Sequence, residues 1–449
     1  MAAGDATYEK GRTMTFDRRY LAVPAAVSAL AMTLAGCGAA GDGNSAPKAA
    51  DGPVTLELTF WGSDNRVKLT QQAIDLFHSK NPNITVNMQY ADFTSYWDKL
   101  ATQNAGGEAP DVIQMDASYL ASYSSQGSLY DLGKLSDQLD LNTMSSSLKD
   151  TGKYEGTQYA APISMVTLGV MVNNDLLDKL GIELPDTSTW TWDDFAKVSK
   201  EVMDKSNGEI IGAYAPSAEF ILQLWARQHG TALYKDGKVA IDPQVLAEFL
   251  EQPKTWYEKG MSPSVDKWSE DIVATQDQQP FGQNKQAFGF ATSNQLTVNV
   301  KATGSENISV EPMPSDDHNT KWNYYKPSQY WSISAKTEHP VESAKLIDFL
   351  INDADAAKIL GAERGDPANN KNREALAATL TGADKKVLDF DSSLADSVGD
   401  APEITPNGAS GAEKMLTRYV QEVSFGRMSP IDGANGYIAE LQREIDAAA

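Results

Sequence analysis

The chain has 449 residues, 61 acidic against 38 basic, a net charge of −23 at neutral pH, and a single cysteine. So acidic a body repels nucleic acid and anionic lipid, and neither is an expected partner. A lone cysteine excludes an internal disulfide, so stability has to come from packing.

The first segment reads as an export signal. Arg18 and Arg19 precede an apolar run from Leu21 to Leu34, which ends in Ala35-Gly36-Cys37. A basic start, an apolar middle and small residues at the cut form a secretory layout. A cysteine directly after the small residues is similar to a bacterial lipobox, in which the thiol receives a diacylglycerol. Residues 1–36 are therefore predicted to be a lipoprotein signal peptide, with Cys37 the lipidated residue. Stable membrane attachment takes two anchors, and a diacyl group supplies both chains at one position. Residues 37–53, rich in Gly, Ala and small polar residues, read as a lipidated tether. The body beyond is long enough for two lobes. No later apolar run approaches the ~20 residues of a membrane span. The expected location is extracytoplasmic, lipid-anchored to the cell membrane.

Order is expected from Thr55. Leu56, Leu58 and Phe60 alternate with polar residues as in a strand, and Leu69, Ala73, Leu76 and Phe77 recur at helical spacing until Asn81-Pro82 stops them. Ile84, Val86, Met88 and Tyr90 alternate again. This β-α-β start predicts an α/β fold with parallel strands. Asp111-Val112-Ile113 reads as a short buried strand, and the apolar stretch from Ala160 to Val172 is broken at Ser164 and Thr167. Thr191 is placed to cap a helix beginning Trp192-Asp193-Asp194-Phe195. Strands are expected around 288–290 and 310–313, a helix through Ala344, Ile347 and Ile351, and mostly helix in the last hundred residues.

Catalytic signatures are missing from the sequence: it contains no GxxxxGK[ST], no HExxH and no GxSxG. The four histidines, at 78, 229, 318 and 339, have no metal-ligand spacing, so no metal and no cofactor are expected. Without an ATP site, a role in transport needs a separate ATPase. Aromatic and planar polar residues are placed more tellingly. Trp61 ends the first strand and is followed by Asp64, Asn65 and Arg66. Asp116 and Tyr119 follow the strand at 111–113, and Tyr330 and Trp331 lie in a second aromatic-rich segment. In open parallel sheets ligands bind beyond the carboxyl ends of strands. Sugar C–H faces suit aromatic rings, and sugar hydroxyls need both donors and acceptors.

The body resembles the extracellular solute-binding lipoproteins of carbohydrate ABC transporters (family 1, maltodextrin-binding-protein-like). The resemblance rests on Thr59-Phe60-Trp61-Gly62, Ala109 to Asp116, Ala161-Pro162-Ile163 with Val172 to Leu177, Thr191 to Phe195, Ala344 to Leu350, and Glu363-Arg364-Gly365-Asp366-Pro367-Ala368-Asn369. It implies a periplasmic-binding-protein-like type II fold, two α/β lobes joined by a three-segment hinge. The crossings are expected near 164–167, 309–314 and 351–354. The N-lobe would then be 54–164 plus 315–351 and the C-lobe 168–308 plus 354–449. The resemblance also implies ligand contacts at Glu219 and Gln223. Asn294 falls where many relatives carry a stacking tryptophan, which suggests a polar contact there instead. Arg364 is expected either at the ligand or as a buried tie between the lobes. The implied activity is capture of an oligosaccharide by a monomer, without chemistry, and delivery to ABC permease transmembrane subunits. The rivals are a cell-surface glycoside-active enzyme and a binding lipoprotein for a non-sugar solute.

Overall fold

The computed structural model describes residues 47–62, 64–272, 274 and 278–448. The expected signal peptide and Cys37 lie outside the described residues, as does most of the tether.

The chain opens as the alternation requires. Strand β1 (Val54–Trp61), helix α1 (Asp64–Lys80) and strand β2 (Ile84–Ala91) form a parallel β-α-β unit. Asn81 ends α1 by returning its side-chain amide to the Phe77 carbonyl at 3.1 Å. Helix α2 (Phe93–Gly106) is capped by Asp92 and stops at Gly107 in the left-handed region. Strand β3 (Val112–Met115) leads into α3 (Ala117–Ser125). The long apolar stretch is two fully buried strands, β4 (Ala160–Val166) and β5 (Leu168–Asn173), with Thr167 alone between them. Helix α4 (Trp192–Lys205) carries the expected cap as a reciprocal capping box between Thr191 and Asp194. Then come β6 (Ile211–Ala213), α5 (Glu219–Gln228), α6 (Pro243–Glu258), β7 (Gln286–Thr292), α7 (Gln295–Thr303) and β8 (Ile308–Pro312). The remainder is β9 (Lys326–Ile333), α8 (Pro340–Asn352), α9 (Ala354–Leu360), β10 (Asp366–Pro367), α10 (Asn370–Ala377), α11 (Gly382–Ser393), α12 (Ala412–Ser424) and α13 (Pro430–Ala448).

Two sheets organise these elements. The N-lobe sheet has six strands in the order β10-β4-β9-β3-β1-β2, and the C-lobe sheet has four in the order β8-β5-β7-β6. In the N-lobe, β1 runs parallel to β2 and β3, while β9 is antiparallel to both β3 and β4. Each sheet is buried on both faces. One N-lobe core packs Phe60, Phe77, Trp331 and Phe349 on the α1 and α8 side; the other packs Tyr96, Trp97, Leu120 and Tyr330 on the α2 and α3 side. The C-lobe has its main core around Trp190, Phe195, Phe249 and Phe288. Each such large apolar side chain contributes about 1.5–3 kcal/mol by leaving water. Among the described residues no helix is long and apolar enough to cross a membrane.

The chain passes between the sheets three times, and two of the passages fall later than the sequence suggested. The first is at Thr167. The second is not near 309–314, because Met313 and Tyr324 still pack in the C-lobe core and the Ser315 amide donates to the Trp190 carbonyl at 3.2 Å. The N-lobe resumes only at Tyr325 and β9. The third is not near 351–354. Asp353 ends α8 but caps α9, which packs on α1 with Lys80 bonded to Asp353 at 2.7 Å. Strand β10 then pairs with β4, so the crossing lies between α10 and α11, at 378–381. The helix break at Asn352-Asp353 is a corner within the N-lobe. Gly365, at a φ of 103°, lets β10 enter: a Cβ there would meet the Met165 carbonyl at 3.1 Å.

Candidate functional site

A chamber of about 270 Å³ lies where the two lobes face each other. Ala117 and Ser118 at the start of α3 line it from the N-lobe. Glu219, Phe220 and Gln223 on the first turns of α5 line it from the C-lobe, as does Glu413 on α12, and Tyr324, Lys326 and Tyr330 come from the second crossing. The segment 401–405 forms a further wall. Beyond that wall a wider cavity of about 650 Å³ shares Thr151, Ala401, Pro402, Glu403 and Ile404, and reaches Asp150, Lys153, Tyr154, Glu155 and Asp236. The two cavities adjoin along these shared residues. Helix starts and strand ends position these groups, as the rule for open α/β sheets requires.

The electrostatics of the inner chamber centre on two carboxyls. Tyr234 donates its hydroxyl to Glu219 Oε1 at 2.9 Å, and the Glu219 amide donates to Glu413 Oε2 at 2.6 Å. Burial pushes the Glu219 carboxyl up to about 7; the neighbouring Glu413 adds to the rise, while Tyr234 and Lys326 oppose it. Burial also raises Glu413, against the hydrogen bond it accepts. Tyr324 donates to Gln223 Oε1 at 3.3 Å, which fixes the amide with its nitrogen free to donate. The lining therefore offers acceptors, a donor amide, one ammonium and the rings of Phe220, Tyr324 and Tyr330. Among the described residues no group of His, Cys, Asp and Glu is placed to hold a metal ion.

The sequence-nominated residues divide. Glu219, Gln223 and Tyr330 line the chamber. Trp61 and Tyr119 fall together in an aromatic cluster beyond the ends of β1 and β3. Trp61 meets Phe93 and Tyr96 edge-on at 5.3 and 5.2 Å, and Tyr119 lies flat on Trp97 at 3.7 Å. Asp116 caps α3, accepting from the Ser118 amide at 2.9 Å. Asp64 and Asn65 are exposed at the start of α1 and line neither cavity. Asn294 is half-buried at the start of α7, accepts from Thr292 Oγ1 at 2.8 Å, and also lies off the chamber.

Three nominations are corrected by the packing. Arg66 is buried and spends its guanidinium on Glu363 at 2.9 Å and on the Trp61 carbonyl at 2.9 Å, so it is a tie between α1 and the 363–365 turn. Arg364 is a buried tie inside the N-lobe, with Nη2 on Thr70 Oγ1 at 2.9 Å and its guanidinium over Phe60 and Trp331. Burial, together with Arg66 nearby, lowers its pKa to about 9. Trp331 is 2 % exposed in the core under α8 and presents no face to a ligand. Strand geometry explains the last: side chains alternate between faces, so only Tyr330 of the pair can look toward α3. The sequence reading missed Phe220, Lys326, Glu403 and Glu413. Phe220 directly follows the nominated Glu219; nothing local marked the other three.

Two α/β lobes facing each other across a lined cleft, with the chain crossing between them three times, define a two-lobe binding protein. The chain belongs to the bacterial extracellular solute-binding protein family, whose profile matches residues 63–357. It is 28% identical over 240 residues to the diacetylchitobiose binding protein DasA of Streptomyces coelicolor, 51% of this chain and 54% of that one. The chain thus spans about half the length of that relative. It is 24% identical over 364 residues to the maltodextrin-binding protein MdxE of Bacillus subtilis, 78% of this chain and 80% of that one. Among solved structures, a family 1 extracellular solute-binding protein from Alicyclobacillus acidocaldarius superposes with a TM-score of 0.70 at 25% identity, covering 88% of this chain and 99% of the other.

Proposed function

We propose that this protein is the substrate-binding component of an ABC importer and captures a neutral oligosaccharide in the inter-lobe cleft. In this reading it is held outside the cytoplasmic membrane by lipid on Cys37, works as a monomer, and hands its ligand to permease subunits driven by a separate ATPase. It performs no chemistry. The observation that carries the proposal is the chamber itself, with hydrogen-bonding side chains and aromatic rings contributed by both lobes around one cavity. Such a lining bonds hydroxyls and covers C–H faces, and a ligand touching both lobes favours the closed form by its differential affinity. Relatives named for diacetylchitobiose and for maltodextrin support a sugar as the ligand.

Charge narrows the class. Seven acids (Asp150, Glu155, Glu219, Asp236, Asp400, Glu403, Glu413) face the cleft against Lys153 and Lys326. A uronic-acid oligomer would bring further carboxylates into that field, so the cleft suits uncharged sugars. The test is a thermal-shift panel of neutral chito-, malto-, xylo- and galacto-oligosaccharides with an oligogalacturonide as control. A ligand at 100 times its Kd stabilises the native state by about 2.7 kcal/mol. A shift with one neutral series and none with the uronide is expected. A uronide preference, or silence across all neutral glycans, would overturn the reading.

A further inference from the structure

One cluster of buried titratable groups takes no part in the cleft. Asp366 on β10 and Asp391 on α11 are both fully buried, and they stand on opposite sides of the third crossing. Asp391 is bonded to the other two crossings as well. The Thr167 hydroxyl, at the first crossing, donates to its Oδ1; the Tyr325 hydroxyl, at the second, donates to its backbone carbonyl at 3.3 Å. Ser293 donates to its Oδ2 at 2.8 Å while accepting from the Thr167 amide at 3.2 Å. All three passages between the lobes therefore meet at one carboxyl pair.

Arg373 of α10 is a cation whose charge reaches Asp366 and favours its ionised form. Among the described residues neither carboxyl forms an ion pair. Arg373 spends its guanidinium on Asn370 Oδ1 at 2.9 Å and the Pro367 carbonyl at 3.3 Å. The remaining charged and titratable groups around the pair are Asp384 on α11, Asp396 after it, and Tyr325. Two neighbouring carboxyls, both fully buried, cannot both ionise. Asp391 accepts from two hydroxyls, an arrangement that favours its charged form. Neither oxygen of Asp366 meets a donor, an arrangement that makes sense when Asp366 is itself the donor.

We propose that Asp366 keeps its proton, donates it to Asp391, and so latches the lobes at the hinge, and that loss of this proton to alkaline solvent loosens the latch. Burial, and then the neighbouring Asp391, hold the Asp366 carboxyl far above the usual carboxylate range. Ionisation would place two negative charges against each other across residues 378–381, at the point where β10 and α11 meet. The device concerns the opening of the lobes and is independent of which solute enters the cleft.

The test uses the full chain without added ligand. Fluorophores are placed through Gln126→Cys and Lys235→Cys, exposed sites on either side of the cleft mouth, with Cys37→Ser to keep the labels unique. Transfer efficiency is expected to fall as pH rises from neutral to strongly alkaline, and to stay level in the same protein carrying Asp366→Asn, whose amide still donates to Asp391. Identical traces for the two proteins would overturn the proposal. Should Asp366→Asn not fold, infrared spectroscopy of the unsubstituted chain decides. A protonated-carboxyl band present at pH 7–8 and lost at alkaline pH is expected, and its absence at pH 7–8 would refute the latch. Neither readout depends on sugar binding, so failure here and failure of the proposed function are distinguishable.

Discussion

Replacing Trp331 by alanine separates the core from the cleft. The indole is 2 % exposed, sits among β9, β1 and α8, and carries the Arg364 guanidinium 5.7 Å above its ring. Truncating a buried tryptophan costs about 3–5 kcal/mol through lost transfer and the cavity left behind. Loss of the ring face under a buried guanidinium adds about 1 kcal/mol. The sum, about 4–6 kcal/mol, is a large part of the about 5–15 kcal/mol that holds a typical fold. At about 2–4 °C per kcal/mol it lowers the melting temperature by about 10–20 °C. Urea unfolding followed by far-UV circular dichroism reads the loss directly. Ligand affinity of the remaining folded protein, measured well below the transition, should be unchanged, because no atom of the ring reaches the cleft. A variant with near-native stability but tenfold weaker glycan binding would refute the assignment of this side chain to the core.

Phe220→Ala should do the opposite, lowering the affinity for the cognate glycan about tenfold (about 1.4 kcal/mol) by calorimetry while costing little stability, since the ring lines the chamber and is only half-buried. Glu219 supplies a pH test with a definite sign. Its carboxyl is raised to about 7 in the fold, so the native state holds a proton that the unfolded chain releases near pH 4–5. Stability on its account falls as pH rises across roughly 4.5 to 7. Glu219→Gln should therefore gain up to about 3 kcal/mol over the parent at pH 8 and nothing at pH 4; equal gains at both would refute the burial argument. Thr191→Ala removes the capping box of α4 and should cost about 1 kcal/mol in urea unfolding without touching binding.

What could be read from the sequence follows the range of the signal. Local features were legible. Alternating apolar residues gave β1 and β2, Asn81-Pro82 marked the end of α1, and Thr191 announced the cap of α4. The register of β9 was not. Tyr330 and Trp331 are adjacent aromatics, and a one-residue shift would exchange the chamber for the core. Pairing with β3 and β4 sets which ring faces which way. The arginines misled for a related reason. Arg66 and Arg364 stand in loop-like, ligand-like contexts, yet their partners Glu363 and Thr70 lie about 300 residues away along the chain or in a turn whose geometry only the fold supplies. The lobe boundaries failed where a helix break and a lobe crossing look alike, at Asn352-Asp353. Glu413 carried no local mark at all, because what makes it a cleft residue is the Glu219 amide from another helix.

The central claim is capture without conversion, and isothermal calorimetry with a neutral oligosaccharide chosen from the thermal-shift panel, followed by chromatography of the recovered sugar, tests it most directly. Saturable one-to-one binding with the sugar returned intact is the expected result. A cleaved product, or no heat with any neutral glycan while an anionic one binds, would contradict it.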